Sequence, residues 1–105
     1  MKMLSVLAAA VLILGSAASP AYSDITSVSG HLQTVFADPS DVVVVLDTAG
    51  SCGGVFFIIP RSNLNFKELT AVVLTAFATG NRVQLFVSDC AGDRNVVDHG
   101  SVRFD

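Results

Sequence analysis

Tryptophan is absent from this chain of 105 residues, and methionine and cysteine occur only twice each. The single tyrosine, Tyr22, and both methionines fall within the first 23 positions. Beyond them, aromatic character comes from phenylalanine alone. Basic charge is also scarce. After position 23 the cations are Arg61, Lys67, Arg82, Arg94 and Arg103, set against nine carboxylates, for a net charge of −4. Scattered arginines on an acidic domain leave no electrostatic footprint for nucleic acid. Nor do they form the polybasic cluster that anionic membranes attract. No apolar run approaches the roughly 20 residues of a membrane-spanning helix, so no integral membrane segment is expected once the leader is removed. There are no repeats, linkers or low-complexity stretches.

The leader is the first thing present. Met1-Lys2-Met3 carries one positive charge, Leu4 to Gly15 is apolar, and Ser16 to Ser23 is rich in small residues. This order predicts a cleaved signal peptide over residues 1–23 and an exported protein, periplasmic or secreted. Small residues allow cleavage before Asp24 or before Tyr22. Residues 24–105 then form one domain of a size that buries about 60–65% of its unfolded surface and benefits from a covalent staple. Cys52 and Cys90 can supply it in an oxidising compartment. Closing so long a loop contributes roughly 4 kcal/mol on chain-entropy reasoning. The alternatives are free thiols or a metal site, but a metal site would want further ligands at short spacing.

Ile25 to Asp38 reads as one long strand. Val28, Gly30, Leu32, Thr34 and Phe36 share one side, and Ser27, Ser29, His31 and Gln33 the other. Its interior Gly30 marks a bulge or bend. After the Asp38-Pro39-Ser40 turn, Asp41 to Asp47 is a β-branched run covered on both faces. Gly53 to Ile59 is a third strand, ended by Pro60 and hairpin-linked to the second. Asn65 with Glu68 forms a capping-box pattern, Leu64 and Leu69 occupy hydrophobic-staple positions, and Gly80 supplies a left-handed stop. A helix over Phe66 to Thr79 follows. Arg82 to Ser88 is a fourth strand, 89–95 a polar loop, and Val96 to Phe104 the last strand.

The order β-β-β-α-β-β is that of a five-stranded OB-fold barrel, all-β with one helix and here with one disulfide. Its rival is a generic α+β sandwich. Phe66-Lys67-Glu68-Leu69, the apolar helix, and Thr79-Gly80-Asn81-Arg82-Val83 entering a strand resemble the B subunits of subtilase-cytotoxin-type and typhoid-toxin-type bacterial toxins. The same pattern fits small exported single-domain relatives of those subunits. The resemblance covers residues 52–90 and implies an OB-barrel, a ring of five subunits, sialylated-glycan binding and a catalytic A subunit as partner. This domain is shorter than those subunits and has fewer disulfides. A sugar-contacting serine of the family would fall at Tyr22-Ser23-Asp24, where cleavage is expected.

The sequence carries no catalytic or metal constellation and points to no cofactor. His31 and His99 lack a recognisable orienting acid and are expected to be solvated or locally bonded. Asp89, Asp93 and Asn95 lack calcium-loop spacing. Ser51 has no nucleophile motif around it. Gly50 to Gly54 opens a strand rather than the helix a phosphate cradle needs. Phe56, Phe57, Phe66, Phe77 and Phe86 lie in apolar patterns and are expected in the core, which weighs against a sugar site. The helix has no charge from Leu69 to Thr79. Phe66, Leu69, Val73, Ala76 and Phe77 form its expected core face. Ala71, Leu74 and Ala78 are left as a candidate subunit interface or as ordinary surface. The expected function is a non-enzymatic exported binding or assembly module of toxin B-subunit type, with a homo-oligomer and a cell-surface glycan among its partners. A monomeric envelope or stress protein binding a solute or protein is the alternative.

Overall fold

The computed structural model describes residues 24–104. The expected leader, both cleavage points and Ser23 lie outside the described residues. The elements are β1 (Thr26–Gly30), β2 (Leu32–Ala37), β3 (Asp41–Leu46), β4 (Phe56–Pro60), α1 (Phe66–Thr79), β5 (Arg82–Ala91) and β6 (Arg94–Arg103).

The long first strand is thus two strands, broken at His31. A Cβ on Gly30 would stand 2.5 Å from Asp47 Oδ1, so only glycine lets that carboxylate approach the break. Asp47 Oδ1 accepts the His31 backbone N–H at 3.0 Å, and the His31 carbonyl accepts the Asp47 N–H at 3.1 Å. A second correction concerns parity. Leu32 faces Leu46 and Thr34 faces Val45, so Gln33 is an extra residue in β2. A one-residue slip exchanges the faces of every later side chain. Val35 therefore packs against the core. Phe36, expected to face inward, turns outward and meets Phe56 edge to face at 6.4 Å.

The sheet order is β1-β5-β6-β4-β3-β2, antiparallel throughout except for the parallel β4–β6 pair. The hydrogen-bonded sheet is open, with β1 and β2 at its two edges. Those edges are consecutive in the chain and separated only by His31. Counted as one bent strand, they give the five-strand order of an OB-fold, with the helix between the third and fourth strands. β3 is covered on both faces as its composition predicts. Val42, Val44 and Leu46 join the main core, while Val43 pairs with buried Ile58 on the opposite face.

α1 has the expected bounds. It buries Leu69, Val73 and Ala76 against the sheet, and Gly80 ends it at φ 71°. Its start differs from expectation. The Asn65 side chain does not cap the helix but donates from Nδ2 to the Asp98 carbonyl at 3.1 Å. Leu64 is fully exposed, so no staple forms with Leu69. Phe77, expected in the core, is 48% exposed, because α1 turns its Val73 edge rather than its Phe77 edge to the sheet. No helix among the described residues is long and apolar enough to cross a membrane.

The expected polar loop over 89–95 is also corrected. β5 runs to Ala91, β6 starts at Arg94, and only Gly92 and Asp93 form the turn. Between Phe86↔His99 and Asp89↔Val96 the register steps over Asp98 and Ser88 in turn. This pair of bulges sets the positions of Asp98 and His99 on β6.

Candidate functional site

Cys52 and Cys90 form the predicted disulfide, with Cα atoms 5.6 Å apart. Beside it lies Asn95, the one buried polar side chain among the described residues. Its Oδ1 accepts the Cys52 N–H at 2.9 Å, and its Nδ2 donates to the carbonyls of Gly54 and Phe56, each at 3.0 Å. Every polar atom of the amide is therefore used, as burial demands. Asn95 fastens the loop before β4 to the start of β6. It is a structural group, not the calcium oxygen that its neighbours Asp89 and Asp93 could have suggested.

On α1, the candidate interface residues Ala71, Leu74 and Ala78 are all exposed, with Leu74 at 48%. Phe77 joins them at the same exposure. Three helical residues that the sequence assigns to free faces and one it assigns to the core thus form a single apolar stripe.

The third feature was not legible in the sequence. In a regular strand, adjacent side chains point to opposite faces. The bulge at Asp98 breaks that rule and brings Asp98 Oδ2 to 2.9 Å from Nδ1 of His99. His99 also stacks on Phe86, its cross-strand partner, with ring centroids 4.2 Å apart and planes within 13°. The bulge is anchored by Asn63 Nδ2 on the Val97 carbonyl at 3.0 Å and by Asn65 Nδ2 on the Asp98 carbonyl. Ser62, Asn63, Leu64, Asn65, Asp98 and His99 line an open depression of about 420 Å³. The adjoining outer face of β1, β5 and β6 sets Ser27, Phe86 and His99 in one row and Ser29, Gln84 and Ser101 in the next. Arg103 Nη1 donates to Gln84 Oε1 at 2.9 Å at the far end. The surface combines amide, hydroxyl and carboxylate groups with a flat aromatic pair, a set suited to small polar ligands that have one apolar side.

The expectation that neither histidine has an orienting acid is corrected, since each has its own. His31 Nδ1 lies 3.6 Å from Asp47 Oδ2. The His31 backbone N–H holds the Asp47 carboxyl below the usual carboxylate range. Desolvation opposes it, and the Thr48 hydroxyl and the His31 charge reinforce it. The two histidines serve different places, the break between β1 and β2 and the β6 bulge. The core expectation for the phenylalanines holds for Phe57 and for Phe66, which packs against the core, and is corrected for the other three. Of the five named, only Phe57 is buried; Phe56, Phe66 and Phe86 are half-buried and Phe77 is exposed. Arginines cover two of the half-buried rings, Arg61 over Phe66 at 5.1 Å and Arg94 over Phe56 at 4.9 Å.

Strand order, the first strand divided at His31 and the single helix define an OB-fold. Among solved structures, the chain is similar to the cholera toxin-like B-subunit from Citrobacter freundii. That likeness has a TM-score of 0.56 at 14% identity and covers 89% of this chain and 95% of that one. It is a likeness of fold. No protein-family model matches the chain, and no curated protein matches it.

Proposed function

We propose that this chain is an exported, non-enzymatic binding and assembly module of toxin B-subunit type. It self-associates through the α1 stripe, presents a sheet face to a cell-surface glycan, and takes a catalytic A subunit as its partner. The observation that carries the reading is the stripe itself. Leu74 and Phe77, each 48% exposed, lie beside Ala71 and Ala78 on a helix whose other face already completes the core. Apolar area left over in this way on a small domain gains by burial against another copy. The fold shared with the Citrobacter freundii B-subunit supports the same reading. The disulfide and the signal-like leader support export.

Light scattering tests it. The wild type should exceed the mass of one chain at high micromolar concentration. Leu74→Glu should reduce it to one chain while the far-ultraviolet circular dichroism is unchanged, because a charge is unfavourable where water is excluded. A wild type already monomeric under those conditions would remove the assembly reading and favour a monomeric binder of solutes or proteins.

A further inference from the structure

The outer face of β2, β3 and β4 carries a second apolar surface, and we infer that it receives the α1 stripe of another copy, so that chains join stripe to sheet rather than stripe to stripe. The inference rests on the assembly part of the proposed function and names the surface that the stripe meets.

Strand register places the surface. Phe36, Val43, Ile58 and Val96 lie in one row across β2, β3, β4 and β6, and Val45 pairs with Phe56 in the row beside it. Side chains alternate along a strand, so these six point away from α1, which packs on the opposite face with Val42, Val44, Phe57 and Ile59. Val43 and Ile58 form the buried base of the surface. Phe36 is 36% exposed, and Val45, Phe56 and Val96 are half-buried.

The stripe can lose water at little cost. The Thr75 hydroxyl donates to the Ala71 carbonyl and the Thr79 hydroxyl to the Thr75 carbonyl, each at 2.7 Å. Both donors are spent inside the helix, so no side-chain donor from Ala71 to Thr79 is left without a partner on burial. The area argues for the sheet as the place of burial. A fully covered aromatic side chain buries about 150–250 Å². Half-exposed Leu74 and Phe77 with two alanines therefore offer much less than the roughly 800 Å² per partner of a standard interface. Stripe on stripe would bury one such patch per chain and leave Phe36 and Phe56 in water. Stripe on sheet buries both patches of every chain, since each copy gives its stripe to one neighbour and its sheet face to the next.

Length and charge agree with this pairing. The helix rises about 16 Å from Lys67 to Ala78. The row that starts at Phe36 continues from Val96 to Asp89 on β5, and it crosses four strand spacings, about 19 Å. The stripe carries its charge at one end, Lys67 and Glu68 in the first turn. The sheet surface does the same at its β5 and β6 side, with Asp89 ending one row and Arg94 lying over Phe56 at 4.9 Å in the other. Lys67 with Asp89 and Glu68 with Arg94 are opposite in sign and set one direction for the helix along the rows.

Light scattering on the oxidised protein at high micromolar concentration tests the inference with three variants. Leu74→Glu removes the stripe. Phe36→Glu and Thr34→Glu remove the sheet surface; both residues are exposed on β2, and Thr34 continues the row of Val45 and Phe56. Each variant alone should have the mass of one chain. Leu74→Glu mixed in equal amounts with either sheet variant should give the mass of two chains and no more, because one intact stripe then meets one intact sheet surface. Far-ultraviolet circular dichroism checks that each variant is folded, and Thr34→Glu carries the test if Phe36→Glu is not. Sheet variants that keep the wild-type mass overturn the inference and leave assembly through the stripe standing. Mixtures that stay at the mass of one chain overturn it as well. A wild type with the mass of one chain overturns the assembly reading and this inference with it.

Discussion

Asn95 accepts the backbone N–H of Cys52 across 43 residues of chain, at 2.9 Å and in part-buried surroundings. The same side chain closes on the carbonyls of Gly54 and Phe56, so it sets the loop before β4 and the start of β6 in one position. Asn95→Ala removes the partner of the Cys52 N–H and the side-chain donor of the Phe56 carbonyl, while the Gly54 carbonyl keeps the Gly50 N–H at 3.0 Å. The expected cost is about 3 kcal/mol, since each unsatisfied buried group costs about 1–3 kcal/mol and partial hydration offsets some of it. Urea titration reads it. A loss within 0.5 kcal/mol, the range of an ordinary surface substitution, would show that water replaces the amide fully.

The disulfide and Asn95 hold the same loop by different means. The double variant Cys52→Ser with Cys90→Ser is expected to remain folded and to lose about 2–4 kcal/mol. Mass spectrometry of the wild type without reductant should show two hydrogens fewer than the reduced mass and no alkylation. Ready alkylation of the native protein would contradict the bridge.

Phe57 and Phe77 differ in burial and should differ in energy. Phe57 is completely buried, so Phe57→Ala should cost about 3–5 kcal/mol. Phe77 is 48% exposed, and Phe77→Ala should cost at most about 1 kcal/mol in the isolated chain. Denaturant titration at low protein concentration measures both. Equal losses would mean that α1 docks by another edge.

Asp47 links stability to acid. Its carboxyl is held below the ordinary range by the His31 N–H, so its folded-state pKa lies under its unfolded-state value. A group shifted down contributes stability that is present above the unfolded value and lost as pH falls through the folded one. The wild type should therefore lose Tm below about pH 4, near the ordinary carboxylate range, and Asp47→Asn should flatten that part of the profile. A wild-type Tm profile that Asp47→Asn leaves unchanged in this window would refute the linkage.

Reading this chain succeeds where the signal is local. The helix over Phe66 to Thr79 follows from an uninterrupted apolar period and a glycine that can adopt φ 71°. The valine run of β3 states by composition that both its faces are covered. The disulfide follows from cysteine count and compartment. Gly30 marks the bend in the first strand, but parity fails after Gln33, because which residue is stepped over is decided by pairing with β3. Asn65 looks like a cap and acts as a clamp on Asp98, because its amide donates across to a β6 carbonyl while its Oδ1 accepts none of the free N–H groups of the first helical turn.

The Asp98, His99 and Phe86 cluster belongs wholly to that second kind. Asp98 and His99 are neighbours in sequence whose side chains ought to diverge, and Phe86 lies 13 positions earlier. Local propensity and hydrophobic period determine which segments become strands or helix, because those energies act within a few residues. Only strand pairing across β5 and β6 decides that a residue is stepped over, that a carboxylate meets an imidazole, and that a ring stacks on it. Packing of α1 on the paired strands decides which edge of the helix is left exposed. These outcomes depend on contacts between segments far apart in sequence, and such contacts take their geometry from the tertiary structure as a whole.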